Sequence, residues 1–190
     1  MAHDWDAYAA EWENDPVTTA YAEKAFESLQ QWLDINNQHV LDFGCGTGLL
    51  TQKIAPLAKG VVALDSSEAM IEQLDRKQLG NNVEAVVDHL TRGLVAMHPA
   101  FRGQFDVVVA SSVCGFLPNY SDVVDIIYSI LENDGAFIQW DWLDAENGLT
   151  TDYVQTVLSS VGFKEVSVSV PFTLETAQGE RQVLMAIGKK

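Results

Sequence analysis

The run Val40-Leu41-Asp42-Phe43-Gly44-Cys45-Gly46-Thr47-Gly48 constrains this chain more than any other stretch. A hydrophobic strand end leads straight into three glycines at alternate positions, and a segment of helical pattern follows over residues 49–58. Each glycine removes a Cβ that would hold a ligand away from the main chain, and each permits positive φ in the turn. The helix that follows turns its unpaired N–H groups toward the same place. The element is built to hold a small polar ligand against backbone.

Two kinds of ligand suit such a loop. The dinucleotide pattern G-x-G-x-x-G needs a third glycine for close helix–strand packing, with a pyrophosphate at the helix end. Here Leu49 stands at that place and the spacing is G-x-G-x-G. A second apolar run, Val61-Val62-Ala63-Leu64, ends on Asp65, 21 residues beyond Gly44. A carboxylate at the carboxyl end of the second strand is placed to accept both hydroxyls of a ribose. Its plainer role is to cap the helix that Ser66-Ser67-Glu68 announces. A third strand, Val83-Glu84-Ala85-Val86-Val87, again ends on an acid, Asp88, which by itself reads as a turn residue.

On these residues the chain resembles the class I S-adenosylmethionine (SAM)-dependent methyltransferases. Their first motif reads D/E-x-G-x-G-x-G after a hydrophobic run, and Asp42-Phe43-Gly44-Cys45-Gly46-Thr47-Gly48 matches it in full. The resemblance implies SAM as cofactor and S-adenosylhomocysteine as product. It assigns Asp42, Gly44, Cys45, Gly46 and Gly48 to the methionine portion and Asp65 to the ribose. The segment Ser66-Ser67-Glu68-Ala69-Met70 is similar to the family's D-x-S-x-x-M, which brings Ser66 and Met70 to the adenosine; a core methionine on an amphipathic helix is the alternative. Asp88 and His89 match the family's adenine-contacting positions. Ser111 and Ser112 follow strand four, where the family contacts the methionyl carboxylate or the acceptor.

Members of this family often open with a segment that folds over the cofactor. Residues 1–36 are expected to form such an N-terminal helical lid, and residues 37–190 the SAM-binding domain. Trp5-Asp6-Ala7-Tyr8-Ala9-Ala10-Glu11-Trp12 is dense in aromatics, and Tyr8 and Trp12 are the residues expected near the ligand. Equally, Trp5, Tyr8 and Trp12 are spaced to form one helical face packed on the core. Asp15-Pro16 then starts a helix whose Ala22, Ala25, Phe26, Leu29 and Leu33 recur at helical spacing.

Strands and helices go on alternating after Phe105. A buried strand over 105–110 precedes an amphipathic helix over 121–132, a fifth strand over 135–142, and a helix over 152–161 stopped by Gly162. Two final strands, 166–170 and 181–187, have no helix between them, so they run antiparallel. The expected fold is α/β, a Rossmann-like seven-stranded, mostly parallel sheet with one antiparallel strand and helices on both faces. That ending resembles the class I methyltransferase fold, in which strand seven is inserted between five and six. One departure is Leu131-Glu132-Asn133-Asp134-Gly135 where the family commonly reads L-x-P-G-G; Asn-Asp-Gly keeps the turn.

Charge and cysteine use narrow the partners. The 190 residues carry 27 acids against 11 bases, a net charge of −16. Nucleic acid and anionic membrane surfaces demand clustered Lys and Arg, so neither is an expected partner. No apolar run reaches the length of about eighteen residues that a membrane span needs. Met1-Ala2-His3-Asp4-Trp5 lacks a secretory pattern. Cys45 and Cys114 have no metal-ligand spacing, so no metal is expected, and a reduced cytoplasmic setting fits.

The reaction implied is methyl transfer to a small-molecule acceptor by in-line displacement. Trp140, Asp141 and Trp142 at the end of strand five are expected as cleft walls. The N/D-P-P-Y/F signature of amide and base methylation is absent from strand four. His89, His98, Asp141 and Tyr8 are candidate bases, but no motif singles one out and the catalytic residue stays unassigned. Two alternatives stand beside this reading: an NAD(P)-dependent oxidoreductase and a non-catalytic SAM-binding regulatory protein.

Overall fold

The computed structural model describes residues 4–143 and 149–190. Residues 1–3 of the expected lid segment lie outside the described residues.

Seven strands form one sheet: β1 (His39–Phe43), β2 (Gly60–Asp65), β3 (Val83–Val87), β4 (Phe105–Ser111), β5 (Leu131–Trp142), β6 (Lys164–Thr176) and β7 (Gly179–Lys189). Their order is β3-β2-β1-β4-β5-β7-β6, with β7 antiparallel to both neighbours and the other pairings parallel. The order reverses between β1 and β4, so a crevice opens beyond their carboxyl ends.

Strand alternation decides which side chains reach which face. Leu41 and Phe43 of β1, with Val108 and Ala110 of β4, enter one core with α5 (Tyr120–Ile130) and α6 (Thr151–Val161); α4 (Arg92–Met97) joins them through Leu94. Val40, Val107 and Val109 enter the opposite core beneath α1 (Pro16–Trp32) and α2 (Thr51–Ile54). A third, smaller cluster packs Ile71 and Leu74 of α3 (Glu68–Arg76) on Ala63 of β2. The result is a three-layer α/β/α arrangement of the expected class.

Several boundaries differ from the sequence pattern, each for a local reason. The helix expected over 49–58 is continuous only over Thr51–Ile54. Pro56 lacks an N–H and its ring collides with the carbonyl four residues earlier, so the segment breaks into turns. Strand β6 runs past Val170 to Thr176 because Pro171 falls at a register shift between Ser169 and Phe172, where no ladder donor is needed. At the start of β5, Leu131 pairs with Phe105 before a left-handed turn at Asp134 (φ 66°). A Cβ on the following Gly135 would lie 2.9–3.2 Å from three carbonyl oxygens, which is why glycine ends this turn.

Candidate cofactor and acceptor cleft

A cleft of about 920 Å³ lies over the carboxyl ends of β1, β2 and β4. Its floor is the glycine loop, which turns back sharply enough for Gly44 and Cys45 to donate their N–H groups to the Leu64 carbonyl of β2 at 2.8 and 3.1 Å. Gly44, Gly46 and Gly48 have φ of 69°, 54° and 82°, a region costly for any residue with a Cβ. The three glycines are needed for different reasons. A Cβ on Gly44 would stand 2.5 Å from a Val113 methyl, and one on Gly48 2.9 Å from Leu74. On Gly46 it would meet nothing closer than Trp12 Nε1 at 3.8 Å and Met70 Sδ at 3.9 Å. Gly46 therefore keeps the cleft itself open, whereas Gly48 lets α3 pack against the loop and does not line the cleft.

Carboxylates stand along one side. Asp42 is buried; its Oδ2 accepts from Thr51 Oγ1 at 2.6 Å, and its Oδ1 has no hydrogen-bond partner among the described residues. Burial pushes this carboxyl up to about 7, with the Thr51 hydrogen bond opposing the rise and the Asp65 charge adding to it. Asp65 accepts from Gly46 N through Oδ2 and from Ser67 N through Oδ1, both at 2.9 Å. Desolvation raises its pKa and these backbone N–H groups hold it down. The helix cap is not Asp65 but Ser67, whose Oγ accepts from Met70 N at 3.1 Å. A carboxylate offers about four lone-pair sites, so Asp65 keeps acceptor capacity beyond its two backbone bonds. Ser66, the buried Met70, Asp88 and His89 complete this end of the cleft. Asp88 is exposed, and its Oδ1 accepts from His89 N at 2.7 Å. Cys45 also lines the cleft, and burial keeps its thiol, like that of Cys114, protonated.

The segment before α1 lies across the opening. Two single 3-10 turns, Trp5–Tyr8 and Trp12–Asn14, replace the one helical face that the spacing of Trp5, Tyr8 and Trp12 suggests. Asp6 Oδ1 accepts from Ser67 Oγ and from Ala69 N, so it seats this strap on the first turn of α3. Glu13 accepts from Thr47 Oγ1 at 2.6 Å and pairs with Lys77. The Trp5 ring meets Trp12 edge-on at 6.0 Å and Phe116, from the loop after β4, at 5.0 Å. Trp5 and Trp12 line the cleft. Tyr8 does not: its ring lies 6.5 Å from that of Trp5 but is 54% exposed.

At the other end, Ser111 and Ser112 line the cleft as β4 terminates. Ser112 has φ of 58°, and its N–H donates to the Trp140 carbonyl at 2.7 Å. Trp140 itself is not a wall. It is fully buried beneath α1, with Nε1 donating to Ser28 Oγ at 2.8 Å, and Trp142, one pleat further on the same face, reaches the cleft instead. Asp141 points the opposite way, into a chain in which Tyr120 Oη donates to Gln139, Gln139 Nε2 donates to Asp141 Oδ2, and Gly115 N donates to Asp141 Oδ1. Burial pushes Asp141 up to about 7. Its role is to hold the turn after Ser112. Of the four candidate bases, His89 alone lines the cleft; His98 accepts from Ala100 N beside Phe101.

Residues not singled out by motif also line the cleft: Tyr21, Val113, Phe116 and Asn119. Tyr21 lies four residues before Ala25 on the apolar stripe of α1, a signal present in the sequence. The loop after β4 carries no comparable pattern.

Residues 41–137 match the methyltransferase domain family, just over half of the chain. The ubiquinone biosynthesis O-methyltransferase of Shewanella pealeana is 26% identical over 126 residues, 66% of this chain and 51% of that protein. Cypemycin N-terminal methyltransferase of a Streptomyces species is 37% identical over 83 residues, 44% of this chain and 31% of that protein. The chain spans about half the length, or less, of the curated relatives it matches. Among solved structures, the DhpI–SAM–HEP complex superposes with a TM-score of 0.76 at 21% identity, covering 98% of this chain and 94% of that one. The N-methyltransferase NodS of Bradyrhizobium japonicum, in complex with S-adenosylhomocysteine, gives 0.72 at 17% identity, covering 95% and 90%. The chain belongs to the methyltransferase domain family, in the class I SAM-dependent fold.

SAM suits the residues present. The buried, unpaired Asp42 Oδ1 is an acceptor for an ammonium group, and Gly46 leaves open the space that a Cβ would fill. Asp65 retains lone pairs at the height of the β2 end.

Proposed function

We propose that this chain transfers the methyl group of SAM to a small-molecule acceptor. The observation that carries the reading is the pairing of an open glycine loop at Gly46 with two carboxylates, Asp42 and Asp65, that keep acceptor capacity toward a single cleft.

SAM supplies a methyl group on a sulfonium whose leaving group is a neutral thioether. What remains for the chain is alignment, water exclusion and, for a protic acceptor, a route for one proton. In this reading Asp42 and the 44–46 backbone hold the amino-acid end, Asp65 holds the ribose, and Met70, Asp88 and His89 hold the adenine end. The strap of residues 4–15 acts as the lid, seated through Asp6 and Glu13. Ser111, Ser112 and the 113–119 loop orient the acceptor. Gly48 supports the loop through α3 packing rather than through contact with ligand.

A small acceptor agrees with a cleft within the size range of small-molecule sites. The net charge of −16 disfavours nucleic acid as substrate. Among the described residues no helix is long and apolar enough to cross a membrane; a cytoplasmic setting is the reading that the two free cysteines support.

Thermal shift with SAM, S-adenosylhomocysteine, NAD and NADP tests the cofactor, since a tight ligand stabilises the folded chain by mass action. The expected result is stabilisation by the first two alone. Transfer of labelled methyl from SAM to an acceptor pool then separates an enzyme from a SAM-binding regulator, which yields no labelled product.

A further inference from the structure

One buried carboxylate governs two parts of the cleft that it does not touch. Asp141 is 1% exposed and lines no part of the cleft, and among the described residues no Lys or Arg pairs with it. Burying such a group without a cation is costly unless hydrogen-bond donors compensate it. Here the donors are Gln139 Nε2 at 2.9 Å and Gly115 N at 2.8 Å. Gln139 is held in turn by the Tyr120 hydroxyl of α5, which donates to its Oε1 at 2.7 Å. The first donor fixes the carboxylate within the protein; the second fixes a loop to the carboxylate.

That loop is otherwise lightly anchored. Cys114–Phe116 is one 3-10 turn of three residues, entered through Ser112 at φ 58° and with no side-chain cap at Val113. A turn this short has few hydrogen bonds of its own: Phe116 N donates to Val113 O at 3.1 Å and Leu117 N to Cys114 O at 3.2 Å. Yet both of its flanks bear on the cleft. Val113 stands against Gly44, where its methyls leave no room for a Cβ. Phe116 meets the Trp5 ring of the strap edge-on at 5.0 Å. The polar seats of the strap, at Asp6 and Glu13, lie on α3, Lys77 and Thr47. Phe116 receives the strap on the other side, from the loop after β4.

We propose that Asp141 is a positioning residue for the reaction: through the Gly115 N–H it sets the 113–116 turn, and through that turn it holds the strap over the cofactor loop. The proposal rests on the methyl-transfer reading above and adds to it a residue outside the cleft. Asn at this position keeps an oxygen for Gly115. Turning the Gln139 amide over then lets its Oε1 accept from the Asn Nδ2 and its Nε2 donate to the Tyr120 hydroxyl. Ala leaves the Gly115 N–H and the turn unheld.

Amide exchange over residues 4–15, measured by mass spectrometry on the full chain without ligand, tests this together with calorimetric titration of S-adenosylhomocysteine. Asp141→Ala should speed strap exchange about fivefold or more and weaken S-adenosylhomocysteine binding by a similar factor. Asp141→Asn should hold both within about twofold of the parent. Phe116 is 44% exposed, so Phe116→Ala leaves the buried network whole; this variant should fold and speed strap exchange as Asp141→Ala does. The double variant should exchange no faster than the faster single one, because both act through one contact. Four results would overturn the proposal: an unmoved strap in Phe116→Ala, multiplied effects in the double variant, Asp141→Asn as damaging as Asp141→Ala, or Asp141→Ala lowering Tm with strap exchange unchanged. The first of these decides the matter even where Asp141→Ala does not fold. Absence of S-adenosylhomocysteine binding by the parent removes the methyl-transfer reading itself, a result separate from strap exchange.

Discussion

Two carboxylates in the cleft have opposite tasks, and each gives a measurable consequence. Asp65 sits where its oxygens order Gly46 and Ser67 and still face the cleft. Removing it takes away charge-assisted hydrogen bonds, so Asp65→Ala should weaken S-adenosylhomocysteine binding by about 1–3 kcal/mol. Calorimetric titration of the variant checks this, and an undiminished affinity would place the ribose elsewhere. Asp42 is deeper. Its carboxyl titrates near 4 in an unfolded chain and at about 7 in the folded one. The folded chain binds the proton more tightly, so this contribution to stability is complete below the unfolded value and is lost as pH rises through 7. Asp141 has the same sign. Asp42→Asn fixes a neutral side chain, and the fall in Tm between about pH 5 and 8 should be shallower in this variant than in the parent. Equal slopes by scanning calorimetry would contradict burial as the cause.

The glycine loop shows how one motif holds residues of unlike purpose. Gly48→Ala sets a methyl against Leu74 at positive φ, so it should lower stability by about 1–3 kcal/mol in chemical denaturation. Gly46→Ala meets only ordinary contacts with Trp12 and Met70, so beyond its φ cost of about 1–2 kcal/mol the damage should fall on ligand affinity. A loss of about tenfold or more for S-adenosylhomocysteine is expected, with a smaller stability change than in Gly48→Ala. The reverse ranking would mean that Gly46, and not Gly48, is the packing glycine. The strap is held by part-buried polar contacts at Asp6 and Glu13, and Glu13 is the ion-pair partner of the enclosed Lys77 ammonium. Glu13→Ala leaves that ammonium without its carboxylate, so it should lower Tm and speed amide exchange over residues 4–15, with S-adenosylhomocysteine slowing it again. The sequence made the loop legible because three glycines and a preceding acid leave few other uses. It could not separate Gly48 from Gly46, since that depends on Leu74, a residue 26 positions away on another helix. Trp140 was illegible for a similar reason: an aromatic at a strand end reads as a wall, and only the register against Ser111 shows it one pleat too low. The spacing groups Tyr8 with Trp5 and Trp12, but the segment breaks into two separate 3-10 turns and Tyr8 stays outside the cleft.

Across the whole chain, the strand order follows from features visible in the amino acids. Helical segments between the early strands force parallel crossovers, and the missing helix before the last strand forces an antiparallel return. Alternating burial along β1 and β4 then shares the apolar residues between two cores, and the cleft opens where the order reverses. The acceptor end is written less plainly, because Tyr21, Val113 and Phe116 reach it from separated segments with no common motif. What all of this positions is a site for one adenosyl sulfonium. Isothermal titration of the purified chain with S-adenosylhomocysteine and, separately, with NAD measures that directly. One equivalent of S-adenosylhomocysteine bound per chain, with no heat from NAD, is the predicted outcome; saturable binding of NAD and none of S-adenosylhomocysteine would contradict it.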